Sequence, residues 1–370
     1  MKNVLVLAHK NDLRPSLRYR IVFPLDFLDR KKLVKYKMIS LYSYKTEKLL
    51  STNKSIKKII NVFIDIIIFI LSFLMVCRKK YDAVIVKDFL MPLGGGGIEK
   101  FFFLLLRTQK IIYDLDDAIY FNHTRKQNIF FSKFRHMDYK VAFWLRYSSK
   151  VIIPNNFIKS DLEKLYSLQK EKTELLLSCP MEKQYYNDIM KINKYSDDGT
   201  IPIVWLGSSH TQVDLEIFKD VIHNILEAFP NVHIYFVGVT DDWKDYDEEE
   251  RVHKLKWTPE NEILIMRKSV FGINPLRNDD FQKRKSAFKV IQYYRAGIYP
   301  LVSDVGINND LIKKFGGFCI KGNTSFNDII AEMKRHIANL NENSRMLYKR
   351  SKELTVENNA MCISKLINEL

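Results

Sequence analysis

The common catalytic and metal-binding signatures are missing from this 370-residue chain. It has no H-E-x-x-H pair, no Walker loop and no Ser-His-Asp order, which removes zincin, P-loop and triad chemistry. Its one glycine run, Gly94–Gly97, lacks the G-x-G-x-x-G spacing, which argues against a dehydrogenase. The run precedes an apolar helical stretch, so it reads as a flexible loop or as backbone able to approach an anion. Cysteine is scarce. Cys77, Cys179, Cys319 and Cys362 stand far apart with no metal-ligand spacing, as expected of reduced thiols in a cytoplasmic protein. The start, MKNVLVLAHKND, has too short an apolar run for a signal peptide and lacks a small-residue cleavage site, so it reads as a buried strand. The histidines are scattered, and His123 is expected at the surface. No internal repeat is visible.

Negative charge is also short in one half. Residues 1–185 hold 34 Lys and Arg against 17 Asp and Glu, a net of +17, while the remainder holds 25 against 26, a net of −1. A surplus confined to one half points to a docking face there, with nucleic acid or anionic lipid as candidate partners. Zinc, RNP-type and helix-turn-helix signatures of nucleic-acid binding are absent. The aromatics sit in apolar runs rather than between Arg and Gly, so nucleic acid is the weaker reading.

Short β-branched runs recur at residues 3–8, 82–88, 111–114, 150–153, 202–206, 232–238, 270–274 and 299–303, with helical stretches between most of them. Such alternation implies parallel sheets with right-handed crossovers. A chain of this length exceeds one ordinary core. With a polar stretch at residues 188–200, two Rossmann-like α/β domains are expected, over residues 1–187 and 200–355, followed by a terminal helix at 356–370.

The most apolar stretch, Ile59–Val76, is 18 residues long with Asp65 inside it and Lys57, Lys58, Arg78, Lys79 and Lys80 at its ends. A spanning helix needs about 20 apolar residues, and an acid at mid-bilayer costs roughly 2.5–3.5 kcal/mol. The next strand follows almost at once. A helix packed on the sheet is therefore expected, with a helix lying in a membrane surface as the alternative.

In open α/β sheets ligands bind beyond the C-terminal strand ends, so the loops there carry the candidate chemistry. Asp114, Asp116 and Asp117 close one strand. Carboxylates two apart at such a place can share a divalent ion, but no metal is expected here. Like charges this close need cationic partners, and Arg14, Arg18 and Arg20 of the loop after the first strand are suited to that. Gly207, Ser208, Ser209 and Thr211 follow IPIVWL and can cradle a diphosphate or cap a helix. A helix over residues 285–296, ending at Gly297, would put Lys285 and Lys289 on one face near its N-terminus, either as a phosphate site or as a solvated basic end.

Four stretches in order resemble one known family. KVIQYYRAGIYPLVSDVG is similar to the donor-site helix of family-4-like (group 1) glycosyltransferases of the GT-B fold. KIIYDLDDAIY resembles that family's first-domain strand and D-[LI]-D-D turn. VIIPNN resembles the strand ending in asparagine, and IPIVWLGSSHT the turn that opens the second domain. The resemblance implies two Rossmann-like domains facing a cleft, a nucleoside-diphosphate sugar as donor, retention of configuration without metal or cofactor, and a C-terminal helix returning to the first domain. It implies donor binding by Gly207, Ser208, Ser209, Lys285, Phe288, Lys289 and Gln292, with Gln292 on the ribose. Asp116, Asp117 and Lys289 are the expected catalytic residues, and Arg14, Arg18, Arg20 and Asn156 lie on the acceptor side. The chain departs from the family at Asp116, where many relatives have histidine, and at Arg284 and Gln292, where the E-x7-E pair falls. The family's Arg–Lys pair beside the serine turn is missing as well. The expected acceptor is a glycan or lipid-linked precursor in envelope polysaccharide or glycoconjugate synthesis. The expected location is the cytoplasmic face of an anionic membrane. A basic nucleic-acid-binding protein and a GT-B sugar epimerase are the alternatives.

Overall fold

The computed structural model describes residues 1–50, 55–92, 94–107, 110–121, 136–194 and 198–370. The chain forms two compact units. The first comprises Met1–Ser178, Arg284–Ser286 and Val356–Leu370, and the second Cys179–Lys283 and Ala287–Thr355.

In the first unit, β1 (Lys2–Ala8), β2 (Val34–Ser40), β3 (Ala83–Lys87), β4 (Ile111–Asp114), β5 (Lys150–Ile153) and β6 (Thr173–Leu175) pair in the order β2-β1-β3-β4-β5-β6, all parallel. Side chains alternate across a strand, so this sheet buries two faces. Leu5, Leu7, Val84, Val86 and Tyr113 pack with Phe69, Phe73, Phe102 and Trp144. Val4, Val6, Ala83, Ile85 and Ile112 pack with Leu17, Ile21, Leu25 and, from the terminal helix Val356–Glu369, Ile363 and Ile367.

The second unit repeats the plan with β7 (Ile201–Leu206), β8 (Val232–Val237), β9 (Val252–Leu255), β10 (Phe271–Asn274), β11 (Tyr299–Ser303) and β12 (Phe318–Ile320), in the order β12-β11-β10-β7-β8-β9 and again parallel. Trp205, Phe236 and Ile273 face one helical layer, and Val204, Leu206 and Val237 face the other. The expected pair of α/β Rossmann-like sheets is present.

Four strands escaped the sequence reading, for a shared reason. β2 alternates buried Val34 and Ile39 with exposed lysines at the sheet edge, β9 is half-buried throughout, and β6 and β12 have three residues each. None carries the continuous apolar run of a central parallel strand. One helix is also shorter than expected. It spans Phe288–Arg295, because Ala287 before it adopts a left-handed backbone with φ 51°. Lys285 therefore precedes the helix, and the two lysines do not share a helical face. At the other end Gly297 takes φ 64°, as its place after the helix demands.

Candidate functional site

In the first unit, the ends of β1, β3 and β4 carry a buried charge cluster. Lys87 is the last residue of β3, and its ammonium donates to Asp88 Oδ1 at 2.7 Å and Asp116 Oδ1 at 2.5 Å, with Asp114 Oδ2 at 3.3 Å. Arg20 lies in a π-helical turn, Arg18–Val22, within the helical run after β1. It is wholly buried and donates to Asp114 through Nε at 3.0 Å and Nη2 at 2.6 Å, and to the Leu176 carbonyl at 2.5 Å.

Two cations thus meet three carboxylates out of water, and each group's ionisation follows. Burial opposes the charge on Lys87, but Asp116, Asp88 and Asp114 outweigh it and raise its pKa. Burial likewise opposes Arg20, and Asp114 reverses the sign. The Asp116 carboxyl is pushed up by burial and pulled further down by Lys87 and Arg20, ending below the usual carboxylate range. Asp88 is the odd carboxylate. Burial drives it up to about 7 against the pull of Lys87. Its backbone is left-handed, with φ 59°, and such positions cluster at functional sites. Asp117 is exposed to solvent. Desolvation by the atoms around it, and next the Asp116 charge, push its carboxyl up. Lys285 lies close enough to act on Asp117 in the opposite sense.

His9, just past β1, stacks on Phe89 with ring centres 3.9 Å apart. Its buried Nδ1 has no hydrogen-bond partner among the described residues. Burial and the charges of Lys10 and Lys87 hold it neutral. Glu99, in the first turn of the helix Gly96–Leu105, accepts from the main-chain N–H groups of Leu90 and Met91 and from Trp144 Nε1, which ties down the start of the loop after β3.

Several expected acceptor-side residues have other work here. Arg20 was expected to partner the acidic cluster and does so, but its burial removes it from contact with any ligand. Arg14 pairs with Glu47 at 2.7 Å rather than with the cluster, and Arg18 lies over the Tyr19 ring. Asn156 is exposed in the first helical turn of Asn156–Tyr166. The preceding Asn155 makes the contacts, accepting from Ile158 N at 3.0 Å and donating to the carbonyls of Arg284 and Lys285, which belong to the same unit. Arg284, at the place of the family's first glutamate, is a structural cation. It pairs with Asp161, which also accepts from Tyr120. His123 lies outside the described residues.

In the second unit the candidate site surrounds Trp205. This indole is buried in β7, and Gly207 folds directly over it. A Cβ on Gly207 would stand 2.0 Å from the ring, and one on Gly238 (φ 92°) would stand 2.3 Å from the Gly207 carbonyl oxygen. The Lys289 ammonium lies 4.7 Å from the same ring's centre, within cation–π range. The indole therefore brings Lys289, from the first turn of its helix, beside the turn that follows β7. There Thr211 spends its hydroxyl on the Ser208 carbonyl, while Ser208 and Ser209 are exposed. The loop after β10 is pinned by Asp214, which accepts from Arg277 at 2.8 Å and Gln282 at 2.9 Å. Phe288 is half-buried.

Gln292 departs from its expected role. It is buried, and its amide donates to the Tyr185 hydroxyl and Glu262 Oε1, both at 2.9 Å. Glu262, from the helix Pro259–Lys268, also accepts from Trp257 Nε1 at 2.8 Å. A carboxylate thus does stand beside this helix, but a different helix supplies it. Among the described residues, no three His, Cys, Asp or Glu side chains are grouped to hold a metal ion. Lys87 sits among Asp88, Asp114 and Asp116 and pairs with all three.

The residues that the motif search missed are Lys87, Asp88, His9, Trp205 and Glu262. A lysine followed by an aspartate, closing the otherwise apolar strand DAVIVKD, was the available signal for the first two.

No family model matches the sequence, and no curated protein matches it. Solved structures do. The chain is similar to the sucrose-phosphate synthase of Thermosynechococcus elongatus, with a TM-score of 0.67 at 13% identity over 99% of this chain and 98% of that one. It is similar to Anabaena HepE in complex with UDP-glucose, with a TM-score of 0.65 at 12% identity over 100% of both chains. It is also similar to WaaG, a glycosyltransferase involved in lipopolysaccharide biosynthesis, with a TM-score of 0.60 at 12% identity over 99% of both chains. At these identities the likeness establishes the fold. This chain has the GT-B fold.

Proposed function

We propose that this protein is a glycosyltransferase moving a sugar from a nucleoside-diphosphate sugar to an acceptor hydroxyl on a glycan or lipid-linked precursor. The observation that carries the reading is Lys289 held on the Trp205 indole beside the Gly207–Ser209 turn, at a C-terminal strand end of a GT-B fold. A helix N-terminus with a fixed ammonium suits a diphosphate. In the transfer, the acceptor oxygen bonds to the anomeric carbon as the bond from that carbon to the diphosphate oxygen breaks. The diphosphate leaves with the bonding pair, and the hydroxyl proton passes to it on the same face, so configuration is retained. Lys289 neutralises charge that grows on the leaving group, and catalysis gains most from such pre-placed charge. Asp117, exposed at the end of its turn, orients the acceptor hydroxyl. Asp116, engaged by Lys87, holds that turn in place. HepE, solved with UDP-glucose, supports the donor class, and WaaG supports an envelope-type acceptor.

Thermal unfolding with UDP-, GDP-, dTDP- and ADP-sugars tests this. One nucleotide sugar should stabilise the protein, by about 2.7 kcal/mol at 100 times its Kd, and Lys289→Ala should reduce the shift in part. Stabilisation by oligonucleotides and by no nucleotide sugar would overturn the reading in favour of a nucleic-acid-binding protein. Transfer is also expected to continue in excess EDTA, because positive charge at the donor comes from lysine. Loss of activity in EDTA, restored by Mn²⁺ or Mg²⁺, would show that the diphosphate needs a metal.

A further inference from the structure

The helix Ser55–Cys77 is apolar on both sides, which packing on its own sheet does not require. One side faces the core. Phe69 and Phe73 are buried against Phe102, and Asp65 turns inward to accept from Ser43 N and Oγ at 2.8 and 3.0 Å. The other side is open. Every exposed position from Ile59 to Met75 is apolar, including Phe63 at 64% exposure, Leu71 at 56% and Met75 at 66%. An ordinary crossover helix carries charge on that face. Here charge appears only at the ends, as Lys57 and Lys58 before the face and Arg78, Lys79 and Lys80 after it. The neighbouring helix Gly96–Leu105 packs Phe102 against this one and leaves Phe101 and Leu104 exposed.

We propose that the outer face of Ser55–Cys77 is a monotopic membrane site that beds its apolar row into one leaflet of an anionic bilayer, with the basic ends at the headgroups. The helix is long and apolar enough to cross a bilayer, but it links β2 to β3, which pair on the two sides of β1. A spanning position would strip Phe69 and Phe73 from the sheet. A second copy of the chain fits the face poorly. A two-fold antiparallel pairing of these helices sets Lys57 and Lys58 against the partner's Arg78, Lys79 and Lys80, and the only acid on the helix is buried. Anionic headgroups supply the missing negative charge at both ends. The helix belongs to the first unit and Lys289 and the Gly207–Ser209 turn to the second, so lipid binding and nucleotide binding are tested through different residues.

The test is co-sedimentation of the whole chain with vesicles of phosphatidylglycerol and phosphatidylcholine, and with phosphatidylcholine alone. Binding is expected on the anionic vesicles. It should weaken but persist in part as salt shortens the Debye length from about 10 Å at 0.1 M to about 3 Å at 1 M. Ile67→Glu with Leu71→Glu replaces two exposed side chains in the middle of the face. It should reduce binding by at least roughly tenfold, with the far-UV spectrum and melting temperature unchanged. Lys79→Glu with Lys80→Glu provides a second variant away from the helix face, and should remove the preference for anionic lipid. Unchanged binding in both variants would overturn the proposal, as would failure of the natural chain to bind either vesicle. A lipid-free dimer that Ile67→Glu/Leu71→Glu converts to monomer, with vesicle binding unaltered, would make the face an interface between copies and end the membrane reading.

Discussion

Arg20→Met is expected to destabilise the first unit by about 3–5 kcal/mol, the usual cost of leaving one member of a buried ion pair without its partner. Arg20 is fully buried, and it satisfies Asp114 with two donors while holding the Leu176 carbonyl with a third. Methionine keeps much of the stem, so most of the loss is electrostatic. Asp114 would then depend on Lys87 alone, which already serves Asp88 and Asp116. The double variant Arg20→Met/Asp114→Asn separates this cause from lost packing, because it removes one charge of each sign and leaves the imbalance of the cluster unchanged. A coupling in the upper part of the roughly 0.5–3 kcal/mol range is expected between the two sites. Denaturant unfolding of the natural chain, both single variants and the double variant gives that number. Strict additivity would show that Arg20 acts through shape rather than charge.

This cluster also shows where reading the sequence runs out. The central strands were legible because a parallel strand covered on both faces must be apolar along its length, as AVIVK and IPIVWL nearly are. The turn after β7 was legible as a turn, because a glycine followed by small hydroxyls at the end of an apolar run favours loop backbone. What was not legible is which charged neighbours would meet. Arg20 and Asp114 are 94 residues apart, and only the parallel order of β1, β3 and β4 brings the helix after β1 over the end of β4. Arg14 and Arg20 look alike in RPSLRYR, yet one faces Glu47 and the other the buried aspartate. Helical phase decides between them, and a π turn at Arg18–Val22 shifts that phase in a way that residue spacing does not announce. Lys285 and Lys289 show the same limit. Their spacing of four suggested one helical face, but the left-handed Ala287 between them starts the helix later. Gln292 was placed correctly on its helix, but Glu262, which accepts its amide, comes from another element 30 residues away.

Lys289→Ala is expected to lower turnover by roughly 10- to 150-fold, the equivalent of a charge-assisted contact worth about 1.5–3 kcal/mol. The ammonium is fixed before any ligand arrives, because its helix and the Trp205 ring already hold it. It therefore spends little on reorganisation when charge builds on the departing diphosphate. The loss should fall more on kcat than on KM, since the leaving group carries more charge in the transition state than in the bound donor. Lys289→Arg tests the geometry. A guanidinium keeps the charge and the cation–π contact but sits differently over the ring, so partial activity is expected. Steady-state rates with a saturating nucleotide sugar, together with the melting temperature of each variant, separate a chemical defect from a folding one. A Lys289→Ala protein that melts normally and turns over at the natural rate would remove Lys289 from the reaction and the donor diphosphate from this site.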